Sequence, residues 1–321
     1  MGATAVLGSF AVGLLALFGI ADLAGLPLLS ASLSQQARFA LDAGTVVTAA
    51  AAAGFLLSPI RKDVAAFVPI DPDNPVHALA LVLTVMLLGL QITSIVFTDV
   101  LASNNAQPSL TVADLVEDEL PFLLAAVIGV GVFIRRSGSA TASRLGLVRP
   151  AWWHIPLALA CTGAFYRLGQ GSDVLSHMWT PDLARQVDRT TQHVFGHLNT
   201  PLGIAALAVV PGICEEILFR GALQPRIGLI ATALVFTSIH TEYGLSFDTL
   251  TVFVLALGLG LIRKYTNTTT SCTCHVSYNL LAGIGIGGAI LGASIAAEAA
   301  LIAISAYGIW IEAKRNPAPQ P

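Results

Sequence analysis

Residues 209–221 read Val-Val-Pro-Gly-Ile-Cys-Glu-Glu-Ile-Leu-Phe-Arg-Gly and place two adjacent carboxylates, Glu215 and Glu216, in an otherwise apolar helix. On membrane-insertion scales a charged side chain at the bilayer centre costs about 2.5 to 3.5 kcal/mol, so pairing or function must compensate. Neighbouring helical residues point about 100° apart, and the two acids therefore face different surroundings. Glu216 and Arg220 are four residues apart, which favours an intrahelical ion pair. This spacing predicts a structural role for Glu216 and leaves Glu215 to face a polar site.

The composition of the whole chain is that of a membrane protein. Its 321 residues are 55% hydrophobic and 11% charged, and the mean hydropathy is +0.76. Soluble domains carry about 25% charged residues. Ten apolar segments recur at lengths suited to a hydrocarbon core of roughly 30 Å. They cover residues 4–23, 44–60, 76–97, 121–134, 151–166, 201–223, 227–240, 247–262, 276–290 and 291–311. Because backbone in lipid must satisfy its own hydrogen bonds, we expect an all-α, polytopic transmembrane bundle of about 8–10 spanning helices.

The distribution of charge predicts an orientation and excludes one class of partner. The net charge is −3, which gives no global basic field for nucleic acid. Cytoplasmic loops of membrane proteins are enriched in Lys and Arg. With both termini cytoplasmic, only Arg38, Arg167, Arg185 and Arg189 of the 16 basic residues fall outside. We therefore predict an integral, multi-pass protein in a lipid bilayer with cytoplasmic N- and C-termini.

Two hydrophilic stretches interrupt the apolar pattern. Residues 104–120 are typical of a short acidic amphipathic helix on the outer side. Residues 171–200 form the longest outer connection and contain His193 and His197, a pair that can bind metal on one helix face. Gly196 lies between them and no acidic partner follows. A solvated loop is therefore the preferred interpretation of this stretch.

Two further motifs lie on other apolar segments. Phe236 and His240 end the seventh segment, and His275 and Asn279 open the ninth, each pair at a four-residue spacing that shares one helix face. The segment around Glu215 alone is equally compatible with acids solvated at a helix end. Together, the motifs allow Glu215, His240, His275 and Asn279 to converge on one cavity, which we expect in the cytoplasmic half of the membrane. His240 reaches that level only if its helix is tilted or shortened.

The order EExxxR, FxxxH and HxxxN on separate apolar helices resembles the CAAX prenyl endopeptidase and bacteriocin-processing family of intramembrane proteases. The resemblance runs from Pro201 through Asn279 and the helices that follow. It implies a CAAX-protease-like transmembrane core over residues 141–321. Residues 1–140 match no family motif and are interpreted as variable N-terminal transmembrane helices.

The resemblance implies a peptide-hydrolysing site with divided roles. Glu215 would activate a water, His240 would hold that water or orient Glu215, and His275 with Asn279 would stabilise the oxyanion. Glu216, Arg220 and Phe236 would support the site. The substrate would be a membrane-anchored protein or peptide.

The sequence is compatible both with a metal-dependent site and with a metal-free one. Glu215, His240 and His275 can form a three-ligand zinc site with an open position, although a glutamate-activated water needs no metal. Cys214, beside Glu215, and Cys272 and Cys274, before His275, are potential soft ligands. Small, free, buried thiols are the commoner role for cysteines in a helix bundle.

Two other functional classes remain as alternatives. One is a non-catalytic membrane scaffold or immunity protein on the same fold, which a missing motif residue would favour; all motif residues are present. The other is a proton-coupled transporter in which Glu215, His240 and Glu298 form a relay. A transporter predicts repeat symmetry between the two halves of the chain, and the sequence shows none.

Overall fold

A computed structural model describes residues 2–26, 34–133, 135–286 and 291–315. In these ranges the chain is α-helical, without a β-strand. The helices are α1 (Gly2–Leu23), α2 (Gln35–Gly54), α3 (Ser58–Val64), α4 (Pro75–Phe97), α5 (Val100–Ala106), α6 (Val112–Gly129), α7 (Gly138–Arg144), α8 (His154–Trp179), α9 (Pro181–Phe195), α10 (Pro201–Glu216), α11 (Gln224–Ile227), α12 (Leu229–Ser238), α13 (Phe247–Tyr265), α14 (Thr268–Ile284) and α15 (Leu291–Arg315).

Helices α10 and α14 run antiparallel and form the centre of the C-terminal part. The side chain of Thr200 caps α10 by accepting from the Gly203 amide, and the side chain of Asn267 caps α14 by accepting from the Thr270 amide. The two backbones approach closely at Gly212, where a Cβ atom would lie 2.7 Å from Cγ2 of Val276. Only glycine fits a contact of this kind, which is a common device between membrane helices.

A π-helical stretch, Ile217–Leu223, continues α10 directly after the two glutamates. Single π-turns inside α-helices occur frequently at functional sites. Here the π-turn is buried: Phe219 and Arg220 are each 1% exposed. The short helices α11 and α12 then return the chain toward the middle of the bundle.

Helices α1, α2 and α4 pack together as an apolar group at the N-terminal end. Their shared core consists of Val12, Leu15, Ala49, Ala52 and Val82. Glycines again permit close approach, because a Cβ atom at Gly44 would overlap the side chain of Thr93. The opposite faces of α1 carry exposed large apolar side chains, as expected for helices in contact with lipid.

The predicted fold class is confirmed, while the number of clear spans is smaller than expected. Within the described ranges, four helices are long and apolar enough to cross a membrane, or five if the pair α2 and α3, bent by 89°, forms one span. The four are Thr4–Leu23, Pro75–Phe97, Pro201–Ile227 and Gly292–Arg315. The other predicted segments form helices that are too short or not apolar enough; α12 has 10 residues and α14 has 17.

The two hydrophilic stretches are more helical than expected. Residues 171–200 are not a solvated loop: α8 continues to Trp179 and α9 follows, with Pro181 at its start. The buried residues of α9 (Ala184, Val187, Thr190) recur every three positions, so a single stripe faces the bundle. A search for long apolar runs misses such a helix. The acidic residues before Pro121 belong to α6, which continues into the next apolar segment.

Candidate active site

Glu216 is the centre of a buried polar cluster. It is 0% exposed, and its Oε1 lies 3.1 Å from Nη1 of Arg220, in the ion pair that the four-residue spacing predicts. The Ser271 hydroxyl donates to its Oε2, and the Nδ1 of His275 lies 3.1 Å from its Oε1. Glu216 therefore joins α10, the π-turn and α14 in one network, which compensates for burying the charges.

His275 lies between the two glutamates. Because a carboxylate can only accept, Nδ1 of His275 donates to Glu216, and its Nε2 lies 3.8 Å from Oε2 of Glu215. That distance is longer than a direct hydrogen bond. Glu215 and His275 are 4% and 6% exposed. This arrangement fixes the orientation of the imidazole and directs its second nitrogen toward Glu215.

His240 reaches the same level because its helix is short. Helix α12 has 10 residues, about 15 Å at 1.5 Å per residue, and His240 follows its end. The Nδ1 of His240 donates to the carbonyl of Phe236 at 2.8 Å. The Phe236 ring lies against Arg220, with 4.3 Å from guanidinium carbon to ring centroid, and its centroid is 6.0 Å from that of His275. Phe236 therefore packs against parts of both motifs.

One cavity of about 480 Å³ brings the four predicted catalytic residues together. Glu215, His240, His275 and Asn279 all line it. The Asn279 amide donates one hydrogen to the Leu207 carbonyl at 3.4 Å, which leaves its other N–H for a ligand. A larger apolar cavity of about 770 Å³ lies between α8, α14 and α15 and contains none of the four.

The cavity includes residues at the end of the bundle away from the arginine-rich connections. At the arginine-rich end, several side chains are fully buried (Leu145, Phe219, Arg220, Ile227). The cavity instead reaches Thr191 and Phe195 of α9 and Glu242, in connections that the Lys/Arg bias assigns to the outer side. We expected the cavity in the cytoplasmic half of the membrane because Glu215 lies close to the helix break. The distance along the helix does not account for the buried side chains at that end.

The predicted zinc ligands are not spaced as a preformed metal site. The group in the described residues whose ligand atoms all lie within 4.8 Å of one another is Asp173, His177 and Asp188, which are exposed. Glu215, His240 and His275 form no such group. None of the residues lining the cavity is a cysteine, and Cys274 packs in an apolar cluster with Ala158, Leu259 and Ile262. His193 donates to the carbonyl of Gln107 at 2.7 Å and so ties α9 to the α5–α6 connection.

Several lining residues were missed by sequence reasoning. Tyr278 lies within the HxxxN motif, and the others come from elements outside the three motifs: Asp118, Glu119, Phe122, Thr191, Glu242 and Tyr243. Burial raises the pKa of Glu242 to about 7. A signal existed for α6, where Leu115, Glu119 and Phe122 recur at helical spacing on one face. Thus a helix from the part interpreted as a variable extension (residues 1–140) contributes one wall of the cavity.

The fold and this cavity define an integral, multi-pass helical membrane protein with a buried carboxylate–imidazole site. Residues 197–281 match the family described as type II CAAX prenyl endopeptidase Rce1-like. The resemblance seen in the three motifs is thereby confirmed over this segment, which contains all seven predicted site residues.

One curated relative, itself described as uncharacterized, matches part of the chain. The chain is 32% identical over 107 residues to the uncharacterized protein YpbD of Bacillus subtilis (strain 168), covering 32% of this chain and 56% of that protein. The chain therefore spans about half the length of that relative. No solved structure matches the chain.

Proposed function

We propose that the chain is an intramembrane endopeptidase that hydrolyses a peptide bond of a membrane-anchored protein or peptide. The observation that carries the proposal is the convergence of Glu215, His240, His275 and Asn279 on one cavity. The family match over residues 197–281 supports the reaction class.

The first step is the activation of water by Glu215. With Nδ1 of His240 donating to the Phe236 carbonyl, Nε2 of the neutral ring accepts a hydrogen bond from that water. Glu215 removes a proton from the water, and the resulting hydroxide attacks the carbonyl carbon of the substrate. General-base assistance of this kind contributes about 10²- to 10⁴-fold to the rate.

The second step is the stabilisation of the oxyanion. The free N–H of Asn279 and an N–H at Nε2 of His275 donate to it, while the carboxylate of Glu216 accepts from Nδ1 and fixes the orientation of the ring. Donors of this kind are worth about 2.7 to 4 kcal/mol each. The C–N bond then breaks, and the proton held by Glu215 passes to the leaving amine. Glu216, Arg220 and Phe236 hold these donors in place.

The proposed mechanism includes no zinc-dependent step, and an experiment tests whether zinc is needed. A zinc ion bound by Glu215 and the two histidines would supply Lewis acidity and a more acidic water. The spacing of the three ligand atoms does not fit a preformed site. The proposed steps therefore use the side chains alone.

The direct test is cleavage of lipid-anchored quenched-fluorescent peptides by the chain in proteoliposomes. The Glu215→Ala variant is expected to lose at least about 100-fold in rate while inserting and eluting as the parent does. The Glu298→Gln variant is the matched control, because Glu298 lies in the separate apolar cavity, and it should retain the parental rate. Cleavage by Glu215→Ala at the parental rate would exclude the mechanism. Loss of activity with a chelator and its return with zinc would show that a metal is needed.

A further inference from the structure

One part of the cavity wall is acidic. Three carboxylates besides Glu215 line the cavity: Glu119 and Asp118 from α6 and Glu242 from the turn after α12. Among the described residues that line it, none is Lys or Arg. Asp118 is exposed and stands at the mouth, while Glu119 lies deeper. The potential at this wall therefore favours a cation and repels an anion.

Glu119 has an unsatisfied buried oxygen. The residue is 8% exposed, and its Oε2 is buried without a hydrogen-bond partner in the described part of the chain. Thr191 Oγ1, from α9 on the same cavity, is also buried and unpartnered. A buried polar atom without a partner costs about 1 to 3 kcal/mol, and more if it is charged. Two residues that line one cavity and hold such atoms point to a ligand that brings hydrogen-bond donors.

The neighbouring aromatic residues suit the same kind of ligand. Tyr243 and Tyr278 line the cavity, and Phe122 lies on the same helix as Glu119. Aromatic faces attract ammonium and guanidinium groups, and they cover the apolar stem of a Lys or Arg side chain. Charge-assisted hydrogen bonds from such groups to a carboxylate are about twice as strong as neutral ones.

We propose that Glu119, with Glu242 and Asp118, binds a positively charged side chain of the substrate close to the scissile bond. This assignment rests on the proposed function and narrows its substrate class to peptides that place Lys or Arg beside the cleaved bond. A peptide that places a free carboxylate at this wall is disfavoured.

Binding without turnover tests the assignment directly. The full chain carrying Glu215→Ala, in nanodiscs, is titrated with a fluorescent palmitoylated octapeptide containing one central lysine. Two matched peptides carry norleucine or glutamate in place of the lysine. We expect the lysine peptide to bind at least about tenfold more tightly than the norleucine peptide, and the glutamate peptide to bind most weakly. The Glu119→Gln substitution should remove the preference for lysine.

Glu117→Gln is the matched control, because Glu117 is exposed on the same helix and does not line the cavity. It should leave the preference intact. If Glu119→Gln fails to fold, Glu242→Gln is used and should reduce the preference. Equal binding of the lysine and norleucine peptides, no binding of either, or an unchanged preference in the Glu119→Gln variant would overturn the proposal. Lysine-selective binding without cleavage by the unsubstituted chain would reject the protease activity and keep the cation site, whereas cleavage without selectivity would reject the cation site alone.

Discussion

The N-terminal group α1, α2 and α4 and the C-terminal core around α10 and α14 are both helical packings, but they are held by different forces. The first is joined by apolar side chains and by small residues that let backbones approach, as at Gly44 and Thr93. The second contains an ion pair whose partners are 0% and 1% exposed, linked to an imidazole. Dispersion and close packing suffice where lipid surrounds a helix. The C-terminal core instead contains buried charged residues, and each residue of this cluster depends on its partners.

The largest effect is therefore expected on breaking the charged cluster. Glu216→Ala or Arg220→Ala leaves an uncompensated buried charge, which costs about 3 to 5 kcal/mol. We expect a strong loss of folded yield and a lower unfolding midpoint in detergent, followed by tryptophan fluorescence.

The double variant Glu216→Gln/Arg220→Met tests this explanation, since it removes both charges and keeps the side-chain volumes similar. It should unfold at a higher temperature than either single alanine variant. If the single variants unfold at the parental temperature, the ion pair does not stabilise the core.

Smaller changes in stability are expected from alanine substitution of two glycines in the N-terminal group, and the two substitutions should differ in sign. Alanine normally favours a helix interior over glycine by about 1 kcal/mol. At Gly13 no atom lies within 4 Å of an added Cβ, so Gly13→Ala should be neutral or stabilising. At Gly44 the added Cβ would overlap the side chain of Thr93, so Gly44→Ala should be destabilising, because overpacking costs about 1 to 3 kcal/mol.

Unfolding midpoints of the two glycine variants, measured side by side, check this comparison. Equal midpoints would mean that close α2–α4 contact does not hold the N-terminal group together. Peptide cleavage, if present, should survive both changes, because neither glycine lines the cavity.

The smallest effect concerns the surface link between α8 and α9. The backbone carbonyl of Asp173, followed by the carboxylate of Asp188, raises the pKa of His177 above its ordinary value. A raised histidine pKa stabilises the folded state at pH values below the unfolded pKa, and that contribution is lost as pH rises through the folded pKa. Since His177 is exposed, solvent screens this contribution.

Hydrogen exchange of α9 amides measures the link. Between about pH 6 and 8, around the ordinary pKa of histidine, opening of α9 should increase with pH after correction for intrinsic exchange. The His177→Asn variant should lose this dependence. A dependence that persists in the variant would assign it to another group.

The sequence predicted the parts of this site that depend on local spacing. The helical class, the Glu216–Arg220 pair and the shared faces of Phe236 with His240 follow from composition and from residues four apart. Contacts between distant segments have no such signal. The reach of Glu216 to His275 and Ser271, and the contribution of α6 and α9 to the cavity, depend on how helices dock.

The orientation of the cavity illustrates the same limit. The position of Glu215 along α10 could be predicted from helical rise, but the open end of the cavity depends on which side chains fill the other end. Leu145, from a segment some seventy residues earlier, does so. The assignment of catalytic roles and the division of the chain at residue 140 stay predictions.

The close approach of α10 and α14 at Gly212 also fixes the register of α10 along α14. A slip of α10 by one residue would place Glu215 where Glu216 contacts Ser271 and His275, or Glu216 where Glu215 lines the cavity, and would leave the other position without a carboxylate. Such a slip would bring Pro211 or Ile213 to the place where a Cβ atom meets Val276 at 2.7 Å. Steric exclusion at one glycine thereby helps to fix which of the two neighbouring acids lines the cavity.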